Sequence, residues 1–148
     1  MGEMVNKGLF IFICILGIMP VIFSCAYGET AGEYFTKGVE YGKKGQPDKA
    51  ILEFTKAIDL APKSAHSYYN RGFAYECKKD PDKAIVDYSK AIEINPKYAN
   101  AYSGRASMYF YKGRYDESWA DVHAAESLGN KFDQRFIKEL KKASGREK

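Results

Sequence analysis

The sequence predicts an all-α protein: three stacked helix hairpins, a further helix closing the C-terminal end, and an apolar leader helix in front. Three observations carry that expectation. Residues recur at a spacing of thirty-four along the body, each recurring unit holds two helical apolar faces separated by a turn, and residues 9–26 carry no charge. A fixed period of this length signals a stacked-repeat architecture and outranks local propensity.

The leader comes first. "MGEMVNKG" (1–8) carries Lys7, "LFIFICILGIMPVIFSCA" (9–26) is uncharged, and polar sequence resumes at Glu29. A polar start, an apolar run and a polar continuation form the pattern of a signal sequence. Gly17 and Pro20 weaken a permanent helix, and a comfortable membrane span needs about 20 residues. Residues 1–28 are therefore read as a signal peptide or membrane anchor, with three fates open. A signal peptidase cuts after Gly28 or Ala26; or Cys25, in "VIFSC" (21–25), which resembles a bacterial lipobox, is lipidated; or the segment stays uncut. Each places residues 29–148 beyond the cytoplasmic membrane, in the periplasm or attached to the envelope of a bacterium.

The body repeats. Tyr34, Tyr68 and Tyr102 align, as do Tyr41, Tyr75 and Tyr109, then Asp48, Asp82 and Asp116, then Ala57, Ala91 and Ala125. Gly38 and Gly72 fall opposite Ala106, Ala50 and Ala84 opposite Ser118, and Pro62 and Pro96 opposite Asn130. The units run over 31–64, 65–98 and 99–132. In the second, Tyr68, Gly72 and Tyr75 share one helical face, and Ala84, Ile85, Tyr88, Ala91, Ile92 and Ile94 make another. Between them Asp80 is a candidate N-cap, with Pro81 at the first helical position. Pro96 stops the second helix after Asn95. Gly72, Ala84 and Ala91 let the two helices approach, and tyrosine rings fill the space around that contact. In 133–148, Phe136, Ile137 and Leu140 share a side with the preceding Phe132. This amphipathic helix would cover the last hairpin before the basic tail.

Composition narrows the function. The 148 residues are 45% hydrophobic and 15% aromatic, with twelve tyrosines and one tryptophan, enough for a packed core with half-buried rings. A net charge of +4, with no basic stripe interleaved with aromatics, argues against a nucleic-acid partner. His66 and His123 are the only histidines and lie in different units, so no metal-ligand spacing exists and no metal is expected. No phosphate loop or serine elbow occurs. Asp48 and Asp82 sit in first helical turns, where their charge opposes the dipole. No catalytic residue, no enzyme activity and no cofactor are expected. Of three cysteines only Cys77 belongs to the body; a lone thiol in an oxidising compartment is expected to be buried, since otherwise it would invite intermolecular pairing.

These residues resemble the tetratricopeptide repeat, whose pattern is W-x2-L-G-x2-Y, then A-x3-F, then P. The first unit shows Tyr34, Lys37-Gly38, Tyr41, Ala50, Phe54 and Pro62; the second shows Tyr68, Arg71-Gly72, Tyr75, Ala84, Tyr88 and Pro96. The third departs from it at Ala106, Ser118, Val122 and Asn130. The resemblance implies a right-handed solenoid whose first helices line a concave groove. It carries over groove positions Phe35, Thr36 and Val39 from the first unit and His66, Tyr69, Asn70 and Phe73 from the second. Asn100, Ser103, Gly104 and Ser107 follow from the third, with Lys43, Cys77, Phe110 and Tyr111 farther along the same helices.

The implied surface is aromatic and neutral. Relatives that bind chaperones grip a C-terminal carboxylate with lysines and asparagines. At those clamp positions stand Phe35, Val39, Asn70, Asn100 and Gly104, so only Asn70 matches and a carboxylate would be poorly compensated. An extended peptide held through its backbone by Asn70, with Tyr69 and Phe73 beside it, fits better. Arg71, Lys37 and Arg105 replace the family's leucine; their stems are expected to pack while the charges reach water. The expected function is non-enzymatic protein binding in the envelope. The membrane is involved only through the leader or a lipid on Cys25. The alternative is an assembly subunit docking through its convex face or end cap.

Overall fold

The computed structural model describes residues 29–146. The leader and Cys25 therefore lie outside the described residues. From Ala31 onward the chain forms one unit of seven helices: α1 (Ala31–Lys43), α2 (Pro47–Leu60), α3 (Ala65–Cys77), α4 (Pro81–Ile94), α5 (Ala99–Tyr111), α6 (Tyr115–Ser127) and α7 (Gln134–Ala143). Among the described residues there is no strand. The pairs α1–α2, α3–α4 and α5–α6 are hairpins, α2 packs also on α3 and α4 on α5, and α7 closes the end against α6.

Local chemistry sets the helix ends. Asp80 accepts from the Lys83 amide at 3.3 Å ahead of Pro81, Ser64 from the Ser67 amide at 3.2 Å, and Asp133 from the Arg135 amide at 2.7 Å; each satisfies a donor that the first turn leaves free. As the sequence predicts, α4 ends at Ile94, before Pro96. The three hairpin turns share a left-handed residue at one repeat position: Gly45 (φ 67°), Lys79 (φ 59°) and Gly113 (φ 73°). Glycine adopts that conformation freely, whereas a lysine does so against its Cβ.

The small residues make the close contacts. Ala50, Ala57, Ala84, Ala91, Ala101, Ala106 and Ala125 are fully buried. A Cβ on Gly38 would stand 2.6 Å from the Phe54 ring, and one on Gly72 3.0 Å from Tyr88. Tyr88 is itself fully buried and donates to Glu76 Oε2 at 2.7 Å. At the C-terminal end Leu140 joins Ala106, Trp119 and Val122, flanked by Phe110, Phe132, Phe136 and Ile137. The amphipathic side read from the sequence thus closes the last hairpin.

Arg71 and Arg105 behave differently from expectation. Arg71 donates from Nε and Nη2 to the two oxygens of Asp87 at 2.7 and 2.8 Å, and from Nη1 to Thr55 Oγ1 at 3.1 Å. It ties α2, α3 and α4 together instead of sending its charge to water. Arg105 repeats the arrangement one unit on, with Asp121 at 2.8 Å and Ser89 at 2.9 Å. Those bonds hold both guanidinium groups above their usual pKa, against the opposing effect of burial. Asp87 and Asp121 are buried, and a buried carboxylate requires such a partner. The first-turn aspartates also gain partners farther along the chain: Asp48 pairs with Lys78 and Asp82 with Lys112, each in the following unit, and Asp116 with Arg146 just beyond α7.

Candidate functional site: the groove between α1 and α3

A cavity of about 320 Å³ lies between the first two hairpins. From α1 and its turn it is lined by Gly38, Val39, Gly42, Lys43 and Gly45; from α3 by Asn70, Phe73, Ala74 and Cys77; its floor is Pro47, Ala50 and Phe54 of α2. Residues 70, 73 and 77 share one face of α3 because they lie three and four apart. Phe73 is 51% exposed, a large apolar ring left in water beside an apolar cavity.

Eight of the sequence-predicted residues fall into three groups. Val39, Asn70 and Phe73 meet in this cavity. Phe35 and His66 line a second hollow of about 250 Å³ with Ala31, Gly32, Ala61, Ser64 and Ser67. Asn100, Ser103 and Ser107, on α5, line neither: Ser103 accepts from Asn130 Nδ2 at 2.7 Å, the same amide reaches Asn100 at 3.4 Å, and Ser107 donates back to the Ser103 carbonyl at 3.1 Å.

Several side chains are shared with the framework. The Tyr69 ring lies 5.7 Å from that of Tyr88 and 5.0 Å from that of Tyr98, and burial pushes its hydroxyl pKa up. His66 lies 5.1 Å from Tyr98, and Phe35 5.7 Å from Phe54. The assignment of Gly104 to the groove needs correction, because a Cβ there would stand 2.6 Å from the Tyr88 ring. Gly104 is a packing window for the preceding hairpin, and Asn70 holds the same repeat position one unit earlier. Its amide donates to the His66 carbonyl at 2.8 Å, which leaves its carbonyl oxygen and second N–H for a ligand.

Two further features alter the sequence picture. Cys77 is an exposed free thiol, not the buried one expected. Lys43 stands in the cavity lining, so the groove is not neutral throughout. Among the described residues no cluster of three His, Cys, Asp or Glu side chains could hold a metal ion.

Models of the tetratricopeptide repeat match residues 65–98 and 88–120, and a related TPR-repeat model matches 38–79. A solved structure of the first TPR of Spaghetti (RPAP3), bound to the HSP90 peptide SRMEEVD, is 31% identical, covers 80% of this chain and 93% of its own, and superposes with a TM-score of 0.72. The chain belongs to the tetratricopeptide repeat family. The Arabidopsis OM64 TPR domain is 30% identical over 76% of this chain and 94% of its own, with a TM-score of 0.72. The TPR2B domain of yeast Sti1, solved as a complex with pHsp70, is 28% identical over 80% of this chain and 98% of its own, with a TM-score of 0.70. No curated protein matches the chain. This repeat is a fold of protein interaction, and two of these three solved structures hold a chaperone ligand: HSP90 peptide on Spaghetti and pHsp70 on Sti1.

Proposed function

We propose that this repeat protein is a non-enzymatic adaptor that holds an extended peptide segment of a partner protein in the groove between α1 and α3. The observation that carries the reading is the apolar cavity bounded by Val39, Asn70 and Phe73. An exposed aromatic ring supplies contact area and an asparagine amide can both donate to and accept from a peptide unit. The solved relatives that carry the HSP90 peptide and pHsp70 support peptide binding as the mode. Their peptide chemistry does not transfer whole. The clamp positions here hold Phe35, Val39, Asn70, Asn100 and Gly104, of which Phe35 lies against Phe54 and Gly104 against Tyr88. A terminal carboxylate has no cation to meet at those positions.

The adaptor works in the bacterial envelope on this reading, exported by residues 1–28. Mass spectrometry of the mature N-terminus tests it: a chain starting at Tyr27 or Glu29, an acylated Cys25 or an uncut leader each fit export, and a cytoplasmic chain after cell fractionation contradicts it. The groove is tested by replacing Asn70 and Phe73 together with alanine. Partner crosslinking in intact cells should disappear while helical circular dichroism is retained; unchanged crosslinking would overturn the assignment.

Self-association is a second reading, favoured by Leu52 and Val86, which are 55% and 66% exposed one repeat apart on α2 and α4. Light scattering decides it, since a monomer at high concentration removes it. The end cap is a poorer candidate, because the apolar side of α7 is spent on Trp119 and Val122.

A further inference from the structure

Charges at the turn ends of the hairpins are unevenly satisfied. Asp48, Asp82 and Asp116 pair with Lys78, Lys112 and Arg146, Asp80 with Lys83 and Glu117 with Arg114. Those pairs consume the carboxylates of the turns. Lys43, Lys44, Lys49 and Lys79, in and beside the first two turns, have no carboxylate within ion-pair distance among the described residues; Lys44 and Lys49 instead sit over the Tyr41 ring at 5.9 and 5.4 Å. The same end of the molecule holds the end of the cavity formed by Lys43, Gly45, Pro47 and Cys77. Lys79 lies two residues beyond Cys77. It keeps a left-handed backbone (φ 59°) where both equivalent turns use glycine, and a strained non-glycine residue points to a use for its side chain.

We propose that the partner segment carries a bulky apolar side chain, seated in the cavity against Val39 and Phe73, with acidic side chains beside it in the chain that meet Lys43 and Lys79. This deepens the groove reading and rests on it. The cavity of about 320 Å³ suits one apolar side chain with its neighbouring backbone, and burying that side chain supplies affinity. The lysines raise the association rate, as exposed charges do at an interface rim. Because the cations stand at the turns and not at the clamp positions, recognition is of internal acidic residues and needs no free C-terminus.

The test uses the full chain and a fluorescent, C-terminally amidated peptide in which leucine is flanked on both sides by runs of glutamates. Expected is saturable binding that weakens steeply with added salt. Changing leucine to alanine, or the glutamates to lysines, should each cost about tenfold or more in affinity. On the protein, Lys43→Glu with Lys79→Glu should lose about tenfold, while Lys141→Glu with Lys142→Glu on the closing helix α7, outside the cavity lining, changes nothing; circular dichroism checks that both stay folded. Equal binding of the lysine peptide, or a requirement for a free carboxyl terminus, would overturn the proposal. So would phosphatidylglycerol vesicles that bind through Lys43 and Lys79 when the peptide does not. If the acidic peptide fails but Asn70→Ala with Phe73→Ala still abolishes partner crosslinking, the acidic specificity falls and the groove reading stands.

Discussion

Replacing Arg71 by leucine, the residue the family commonly places there, should be strongly destabilising in this chain. The Asp87 side chain is 4% exposed and that of Arg71 18%. Leucine would leave a buried carboxylate with neither of its two guanidinium bonds, and Thr55 would lose a donor. Breaking a buried pair from one side costs about 3–5 kcal/mol. The partial exposure of the guanidinium favours the lower end, about 3 kcal/mol, which corresponds to a melting-point drop of about 12 °C for a chain of this size. Urea and thermal unfolding followed at 222 nm measure it. The double variant, Arg71→Leu with Asp87→Leu, removes the stranded charge and should recover most of the loss, because apolar replacement of a buried pair is often neutral. A single-variant cost below about 1 kcal/mol, the level of an exposed pair, would refute the reasoning. A double variant as unstable as the single one would refute it equally.

Other substitutions divide by local space and backbone. Gly104→Ala places a Cβ 2.6 Å from the Tyr88 ring and should cost about 1–3 kcal/mol, whereas Gly42→Ala meets nothing within 4 Å and should stabilise by about 0.5–1 kcal/mol; paired urea titrations compare them. Lys79→Gly relieves the left-handed lysine (φ 59°) and should gain about 1 kcal/mol in the same assay. Burial pushes the Tyr98 hydroxyl up to about 12, above the ordinary value of about 10. The unfolded chain therefore releases that proton first, and the stability present below pH about 10 is lost as pH rises toward about 12; Tyr98→Phe should flatten this part of an alkaline unfolding profile. Cys77, exposed at the cavity edge, should react with maleimide in the folded protein and be shielded by bound peptide, read by mass spectrometry.

The hairpins were legible because their signals are local. Asp80 and Pro81 start a helix through adjacent backbone groups, and the thirty-four-residue recurrence marks which apolar faces stack. Arg71 was misread because its partner, Asp87, stands across the hairpin, and a lone arginine in a helix ordinarily sends its charge to water. A signal was present: a cation and a carboxylate recur sixteen residues apart as Arg71 and Asp87 and as Arg105 and Asp121. The groove was legible only in part. Val39, Asn70 and Phe73 share the cavity, yet equivalence between units misplaced Gly104, since the Tyr88 ring occupies that position and the ring size of a neighbouring hairpin cannot be read from α5 alone. The charge pattern of the turns was likewise hidden, because which lysines remain unpaired depends on contacts between successive units.

The central claim, that a partner lies in the groove between α1 and α3, is tested most directly by site-specific photocrosslinking in intact cells. A photoreactive phenylalanine analogue at Phe73 should trap a discrete partner, and the same probe at Leu52 on the outer side of α2 should trap none. Trapping from position 52 and not from 73 would contradict the account.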